Sequence, residues 1–156
     1  MIKVIFICLG NICRSPTAEG IFRQLVADRG LLSSIYIDSA GTSGWHNGQP
    51  PDKRSQAAAQ KHNIDISHQK SREITTRDFE IFDYLIAMDK QNLEDLQKKS
   101  KNGPDKNIAT LLSYSPKLDR VDVPDPYYHG SFDDVFDMIK TGCNGLLEKI
   151  CETHKL

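Results

Sequence analysis

Apolar positions along the chain fall into two patterns, short continuous runs and longer stretches in which they recur every three or four residues. A short continuous run is typical of a strand buried on both faces, and the longer spacing is typical of a helix with one buried face. The runs predict strands over residues 3–8, 35–37, 84–88 and 108–112. The spacing predicts helices starting near Ser15, Asp52, Thr76, Asp89 and Ser131. This alternation of strands and helices indicates an α/β fold, with a parallel sheet and helices on both faces.

Residues that favour helix ends refine this prediction. Ser15 is expected to be the N-cap of the first helix, with Pro16 at its first position and Gly30 just past its end. Asn102-Gly103-Pro104 is expected to break the chain before the fourth strand. The last helix carries a predicted buried stripe made of Phe132, Val135, Phe136, Ile139, Cys143, Leu146, Leu147 and Ile150.

The loops that follow the strands are expected to meet at one edge of the sheet. In open parallel sheets, ligands bind at the carboxyl ends of the strands, beside the point where strand order reverses. The loops that end there start at Cys8, Ser39 and Asp89 and, after the fourth strand, run toward Asp125. Four separate stretches of the chain should therefore form one cleft.

The turn after the first strand is predicted to bind an anion. Its sequence is Cys8-Leu9-Gly10-Asn11-Ile12-Cys13-Arg14-Ser15-Pro16. A strand that passes through a short loop into a helix directs backbone N–H groups inward, and the helix N-terminus adds partial positive charge. With a thiol at its start and a guanidinium near its end, the turn suggests transfer of a phosphoryl group onto sulfur.

Cys8 is the candidate nucleophile and Arg14 the candidate phosphate ligand. A helix N-terminus and a nearby arginine favour a thiolate, and Ser15 is expected to donate its hydroxyl to the sulfur. The planar guanidinium of arginine makes two parallel hydrogen bonds to a phosphoryl group. The alternatives are a core cysteine and an arginine paired with a surface carboxylate. The presence of both residues in one anion-binding turn favours the catalytic interpretation.

Asp125 is the candidate general acid. Prolines on both sides hold it on a stiff loop, and the two aromatic residues that follow would favour a protonated carboxyl. An ordinary turn aspartate fits the same local sequence equally well. Trp45, Tyr127 and Tyr128 are expected to form a slot for a planar ring, although each alone is more often a packing residue.

Composition limits the remaining possibilities. The 156 residues suffice for one domain spanning 1–156, and 20 basic against 21 acidic residues argue against a nucleic-acid or polybasic membrane surface. No stretch is apolar enough to span a bilayer, and the N-terminus lacks a signal-peptide pattern. We therefore expect a cytoplasmic protein whose four cysteines are thiols.

Other phosphate and metal sites fit the sequence less well. The turn has one glycine and no lysine, so it matches neither a Walker loop nor a dinucleotide-binding loop. Cys8 and Cys13 have a tolerable zinc-ligand spacing, but two further ligands are needed. Cys143 and Cys151 are explained by the last helix, and the histidines show no paired spacing. No metal site is predicted.

The string CLGNICRSP, read together with the distant Asp125-Pro126-Tyr127-Tyr128, resembles the low-molecular-weight protein tyrosine phosphatases. Segments 38–42, 44–46 and 82–89 also look like this family, so the likeness covers nearly the whole chain. The resemblance implies a three-layer domain with a four-stranded parallel sheet in the order 2-1-3-4. It implies Cys8 as nucleophile, Arg14 as phosphate clamp and Asp125 as general acid and then general base, with no metal and no cofactor.

The resemblance also suggests roles for neighbouring residues. The phosphate-binding loop would comprise Leu9, Gly10, Asn11, Ile12, Cys13 and Ser15. Ser39 and His68 would hold Asn11 and so fix the strained loop. A reversible Cys8–Cys13 disulfide would protect the nucleophile from over-oxidation, while simple packing of Cys13 remains the alternative.

Two related families are disfavoured by single features. Thioredoxin-linked arsenate reductases need a cysteine pair near residues 80–90, where this chain has none. Bacterial arginine phosphatases have threonine where this chain has Ile12, and an apolar side chain suits a phenyl ring better than a guanidinium. We therefore expect a monomeric, metal-independent phosphatase for phosphotyrosine proteins and small aryl phosphates, with inorganic phosphate as product. A non-catalytic phosphate-binding domain is the remaining alternative.

Overall fold

The computed structural model describes residues 1–100, 107–128 and 130–156. The predicted break at Asn102-Gly103-Pro104 lies outside these residues. Four parallel strands form one sheet in the order β2-β1-β3-β4, as predicted. The strands are β1 (Ile2–Cys8), β2 (Ile35–Gly41), β3 (Tyr84–Ala87) and β4 (Asn107–Thr110).

Five α-helices lie in the described part of the chain. They are α1 (Arg14–Asp28), α2 (Lys53–Gln60), α3 (Thr76–Ile81), α4 (Lys90–Lys99) and α5 (Phe132–His154). The fourth strand was predicted to reach residue 112, but it ends at Thr110 and a 3₁₀ turn follows over Leu111–Tyr114. Leu111 and Leu112 are buried in that turn, and burial alone does not distinguish a strand from a 3₁₀ turn. Among the described residues, no helix is both long and apolar enough to cross a membrane.

The predicted N-cap of α1 is wrong by two residues. Cys13 is the N-cap and Arg14 the first helical residue, so Ser15 lies inside the helix. The Ser15 hydroxyl is 3.0 Å from the Cys8 sulfur instead of capping the helix. Similarly, Thr75 rather than Thr76 caps α3, in a capping box with Asp78.

Side chains of β1 alternate between two apolar clusters, one on each face of the sheet. Val4, Phe6 and Cys8 belong to the cluster that includes residues of α1 and α5. Ile5 and Ile7 belong to the other, which includes residues of α3 and α4. The alternation buries both faces of the strand, as its continuous apolar run predicted. Each fully buried large apolar side chain contributes about 1.5–3 kcal/mol relative to exposure.

The predicted stripe of α5 is buried except at its first residue. Phe132 is half-buried, while the other seven residues of the stripe are buried. The ring of Phe132 instead faces the guanidinium of Arg54, whose Cζ lies 4.7 Å from the ring centroid. Phe132 therefore connects the start of α5 to α2 rather than to the core.

Strand register brings the predicted loops together at the carboxyl edge of the sheet. Cys8 is opposite Gly41 at the ends of β1 and β2, and Ile7 is opposite Ala87 at the ends of β1 and β3. Beyond β3, Val123 N–H donates to the Met88 carbonyl at 2.9 Å. This contact brings the segment that contains Asp125 to the same edge.

Candidate active site

The carbonyl oxygens of the turn between β1 and α1 point away from its centre, because groups outside the turn donate hydrogen bonds to them. The pairs are Thr42 N to Cys8 O (2.9 Å), Ser43 N to Leu9 O (3.0 Å), Ser71 Oγ to Gly10 O (2.9 Å) and Asp52 N to Ile12 O (2.8 Å). In a trans peptide the N–H points opposite to the carbonyl. Fixing the carbonyls outward therefore directs N–H groups inward, which suits a bound anion.

Cys8 lies at the base of this turn and is almost completely buried. Its Sγ is 3.0 Å from Ser15 Oγ and accepts a hydrogen bond from Asn11 N–H at 3.3 Å. Hydrogen bonds of this kind stabilise negative charge on sulfur. The contact with Ser15 is the one that the sequence led us to expect.

Asn11 holds the turn in a strained conformation. Its φ is +55°, and a left-handed non-glycine residue costs about 1–3 kcal/mol. Its Nδ2 donates to Ser15 Oγ at 2.8 Å and to Ser39 Oγ at 3.0 Å, and its Oδ1 accepts from Arg72 N–H at 3.0 Å. The three partners lie on α1, on β2 and on the segment before α3, so the strained turn is held from three sides.

The prediction that His68 helps to hold Asn11 is wrong. His68 is exposed between α2 and α3, where it lines a separate groove together with Arg23 and Asp65. The amide oxygen of Asn11 is instead bound by the backbone N–H of Arg72. A backbone donor leaves no residue-type signal, so the sequence could not identify it.

The side chain of Arg72 fixes the segment that binds Asn11. Its guanidinium is 2.9 Å from Asp38 Oδ2 and binds both carboxylate oxygens of Asp78, at 2.9 and 3.0 Å. Burial opposes these charges, but the pairing still raises the pKa of Arg72 and lowers the pKa of Asp78. No residue pattern in the sequence predicted this ion-pair cluster, because its members are separated along the chain.

Gly41 allows the ends of β1 and β2 to lie close together. A Cβ at this position would be 2.7 Å from the Leu9 carbonyl oxygen and 3.0 Å from the Ser43 carbonyl oxygen. Both atoms belong to the backbone, which cannot move aside as a flexible side chain can. Only glycine fits here without displacing the turn.

Arg14 is buried and held by three oxygen atoms. Its Nη1 donates to Asp89 Oδ2 at 2.6 Å and to the Val123 carbonyl at 2.9 Å, and its Nη2 is 3.4 Å from Asp125 Oδ2. Burial disfavours its charge, but the neighbouring Cys8, Asp89 and Asp125 outweigh that effect and raise the pKa of Arg14. The guanidinium is therefore charged and fixed in orientation beside the Cys8 sulfur.

Asp89 has two functions, of which the sequence predicted one. Its Oδ1 accepts from Asn92 N–H at 2.7 Å, which caps α4 as predicted. Its Oδ2 pairs with Arg14. An aspartate immediately after a strand is typical of both a cap and a site residue, and the sequence alone did not separate the two.

Asp125 faces Arg14 across the cleft. Its side chain is partly exposed, and its Oδ1 accepts from Tyr127 N–H at 3.0 Å. This bond fixes one carboxylate oxygen, while Oδ2 lies on the side of Arg14. The turn and the distant aspartate thus line one cleft, as the topology predicted.

Aromatic and apolar side chains form the walls of the cleft above Cys8. The lining residues include Leu9, Ile12, Trp45, His46, Tyr127 and Tyr128. Trp45 is 81% exposed, which rules out a core packing role for it. Tyr127 and Tyr128 pack edge to face with ring centroids 5.0 Å apart. His46, which the sequence analysis did not single out, lies against Gly10 of the turn.

Cys13, within the turn, and Glu19, on α1, are buried polar groups. Burial raises the pKa of Cys13 to about 12 despite a hydrogen bond with Ser55, so its thiol is protonated at neutral pH. Glu19 Oε1 accepts from Ser39 Oγ at 3.0 Å, and burial raises the pKa of Glu19. Cys8 and Cys13 are both free thiols, and their reversible disulfide stays a prediction. Within the described ranges, no group of three or more His, Cys, Asp or Glu side chains is placed to hold a metal ion.

The chain matches one family of known proteins over nearly its whole length. The family model for low molecular weight phosphotyrosine protein phosphatases matches residues 3–156. The low molecular weight protein-tyrosine-phosphatase YfkJ of Bacillus subtilis is 45% identical over 156 residues, covering 100% of both chains. The human low molecular weight phosphotyrosine protein phosphatase is 43% identical over 151 residues, covering 94% of each.

Solved structures of similar proteins share this fold. The crystal structure of Bacillus subtilis YfkJ superposes with a TM-score of 0.94 at 44% identity, covering 100% of this chain and 98% of that one. A Drosophila protein described as an arginine phosphatase superposes with a TM-score of 0.86 at 34% identity, covering 96% of this chain and 98% of that one. On the strength of the matched family model and these relatives, the chain belongs to the low-molecular-weight protein tyrosine phosphatases, a family of hydrolases.

Proposed function

We propose that Cys8, Arg14 and Asp125 carry out hydrolysis of phosphotyrosine through a phosphocysteine intermediate. The observation that carries this proposal is their convergence on one cleft, where Arg14 lies within 3.4 Å of Asp125 and lines the pocket with Cys8. An anion on the Arg14 guanidinium and the inward N–H groups would lie between the nucleophile and the acid. A phosphate-binding domain without turnover would not need the acid.

In the first step, the Cys8 thiolate attacks phosphorus. The S–P bond forms as the bond between phosphorus and the phenolic oxygen breaks, and Asp125 gives its proton to that oxygen. Arg14 and the N–H groups of the turn bind the equatorial oxygens, where charge is spread in the transition state. The products are tyrosine and phosphocysteine, with Asp125 left as a carboxylate.

In the second step, the Asp125 carboxylate takes a proton from a water molecule that attacks phosphorus. The P–O bond to water forms, the S–P bond breaks, and inorganic phosphate leaves. Cys8 departs as a thiolate that accepts hydrogen bonds from Ser15 and from Asn11 N–H. The thiolate and the protonated acid are both restored, so the cycle needs no metal or cofactor.

The walls of the cleft support an aromatic substrate. Ile12, Trp45, Tyr127 and Tyr128 present apolar surface around the position of the leaving group. We propose phosphotyrosine in proteins or peptides as the substrate, and small aryl phosphates as less specific ones. The likeness to the Drosophila protein described as an arginine phosphatase keeps phosphoarginine as the second candidate.

A second part of the proposal concerns the extent of the domain, its location, its oligomeric state and its partners. We propose that residues 1–156 act as one phosphatase domain, as a cytoplasmic monomer that binds phosphoprotein substrates and neither nucleic acid nor membrane. A near-balanced net charge of −1 supports the absence of a polyanion-binding surface. Light scattering after gel filtration tests the monomer directly.

The mechanism is tested by hydrolysis of p-nitrophenyl phosphate with EDTA present. Cys8→Ser should be inactive, because an alcohol is hardly ionised at neutral pH. Asp125→Ala should lose about 10²–10⁴ in kcat, because the second step loses its base whatever the leaving group. Cys151→Ser is the matched control, because Cys151 lies outside the cleft. Activity in Cys8→Ser, or loss of wild-type activity in EDTA, would refute the mechanism. Faster turnover of phosphoarginine than of phosphotyrosine would refute the substrate alone.

A further inference from the structure

Arg54 connects the phosphate-binding turn to the segment that carries Asp125. It lies in the first turn of α2, two residues after the N-cap residue Asp52. Its Nε is 3.0 Å from Asp52 Oδ1 and its Nη2 is 2.9 Å from Asp52 Oδ2, so the guanidinium is bound at two points. The backbone N–H of Asp52 in turn donates to the Ile12 carbonyl at 2.8 Å. Arg54 is thus fixed relative to the turn that holds Cys8.

The same guanidinium contacts two aromatic rings on the other side. Its Cζ is 5.6 Å from the ring centroid of Tyr127 and 4.7 Å from that of Phe132. These distances are typical of cation–π contacts, in which arginine is the usual cation. Tyr127 also donates its backbone N–H to Asp125 Oδ1. The rings lie at the two ends of the short segment between Asp125 and α5.

A continuous series of contacts therefore joins nucleophile and acid. It runs from the Ile12 carbonyl to Asp52, from Asp52 to Arg54, and from Arg54 through Tyr127 to Asp125. The pairing is close enough that Arg54 lowers the pKa of Asp52. Arg54 itself is more than half exposed, so an ordinary surface ion pair would contribute little to stability. What sets it apart is its place between the phosphate-binding turn and Tyr127, which adds a second connection to the direct contacts of Arg14 with Val123 and Asp125.

We propose that Arg54 is a positioning residue that holds Asp125 at the leaving-group oxygen. The proposal rests on the proposed role of Asp125 as general acid. Arg54 does not contact the reacting atoms; it acts by keeping Tyr127, and with it the Asp125 carboxyl, at a fixed height above the turn. Its removal should therefore impair proton donation to the leaving group more than phosphate binding.

Leaving groups of different quality separate these two effects. p-Nitrophenolate departs readily without a proton, whereas phenolate depends on the acid. Arg54→Met keeps much of the side-chain length but loses the charged guanidinium. In this variant kcat/KM for phenyl phosphate should fall by about tenfold. kcat/KM for p-nitrophenyl phosphate should fall much less. Arg54→Lys keeps a cation over the rings and should recover part of the loss.

A double-mutant cycle identifies the residue through which Arg54 acts. In the Asp125→Ala background the Arg54→Met substitution should cause no further loss with phenyl phosphate, because no acid remains to be positioned. Arg77→Met is the matched control, because Arg77 is an exposed arginine on α3 and its replacement changes the net charge equally. This variant should behave as the wild type with both substrates.

The possible failures are distinguishable. If Asp125→Ala itself lowers kcat/KM equally for both substrates, the proposed role of Asp125 as general acid is wrong, because kcat/KM reports the step in which the leaving group departs. A different result is that Asp125→Ala shows the leaving-group dependence while Arg54→Met lowers kcat/KM equally for both substrates, or for neither. That result refutes the positioning role of Arg54. An additive loss in the double variant would also refute it, because Arg54 would then act independently of Asp125.

Discussion

Replacing Ser15 by alanine tests how the turn stabilises sulfur. Ser15 Oγ accepts from Asn11 Nδ2 at 2.8 Å and lies 3.0 Å from Cys8 Sγ. Because Asn11 supplies the donor, the hydroxyl proton is free to be given to sulfur. The alternative acceptor, the Ala40 carbonyl, is farther away at 3.5 Å. The variant therefore removes one hydrogen bond to Cys8 and leaves one donor of Asn11 unpaired.

The size of the effect follows from the charge on sulfur. A hydrogen bond to a charged group contributes about 1.5–3 kcal/mol, and each 1.4 kcal/mol corresponds to about a tenfold change in rate. Cys8 is the leaving group in the second step, so the loss should appear in breakdown of phosphocysteine. We expect kcat of Ser15→Ala to fall by about 10–100-fold.

Rapid-mixing kinetics with p-nitrophenyl phosphate provide the measurement. A slowed second step predicts a burst of p-nitrophenolate close to one equivalent of enzyme, followed by slow turnover. Ser33→Ala, at an exposed position outside the cleft, is the control, and thermal unfolding reports whether either variant is destabilised. A wild-type kcat in Ser15→Ala, or a reduced kcat without a burst, would contradict the assignment of Ser15 to the leaving thiolate.

Three other substitutions test separate features of the site. Asp89→Asn keeps a good N-cap for α4 but weakens the pairing with Arg14, so the KM for p-nitrophenyl phosphate should rise by about tenfold while urea denaturation changes little; an unchanged KM would show that Arg14 is oriented without Asp89. Gly41→Ala places a Cβ 2.7 Å from the Leu9 carbonyl oxygen and should cost about 1–3 kcal/mol in urea denaturation together with most of the activity; wild-type stability would show that the two strand ends separate easily. Burial raises the pKa of Glu19 above its ordinary value of 4.5, so the folded chain binds this proton more tightly than the unfolded chain and loses that stability as the pH rises through the raised value. Glu19→Gln removes this loss, so its stability relative to the wild type should increase as the pH rises above the ordinary value of 4.5 and level off once the raised value is passed; a constant difference would exclude the linkage.

The sheet was predictable largely because its central strands, β1 and β3, are buried on both faces. Such strands produce continuous apolar runs, and parallel pairing with helices on both faces follows from their alternation with helical spacing. The residues at which strands and helices begin and end were less predictable. Apolar residues continue from β4 into the 3₁₀ turn at Leu111, and Ser15 has the residue type of an N-cap but is used by the Cys8 sulfur.

The part of the site that lies in one short segment was also predictable. Cys8, Arg14 and Ser15 lie within eight residues of one another, and their chemistry can be inferred from residue type and spacing. The contacts of Asp89 with Arg14 and of Arg72 with Asn11 depend on strand register and on a backbone N–H. Neither register nor a backbone donor is encoded in residue type, so those contacts required the fold.

The three-sided hold on Asn11 has a consequence for the order in which activity is acquired during folding. Ser15 is a near neighbour of Asn11, but Ser39 and Arg72 are 28 and 61 residues away along the chain. Contacts at such separation form only after the entropy of closing long loops has been overcome. The left-handed conformation of Asn11 is therefore stable only once β2 and the segment before α3 have docked. A partly folded chain has no assembled anion site, so its nucleophilic sulfur stays unactivated until the domain around it is complete.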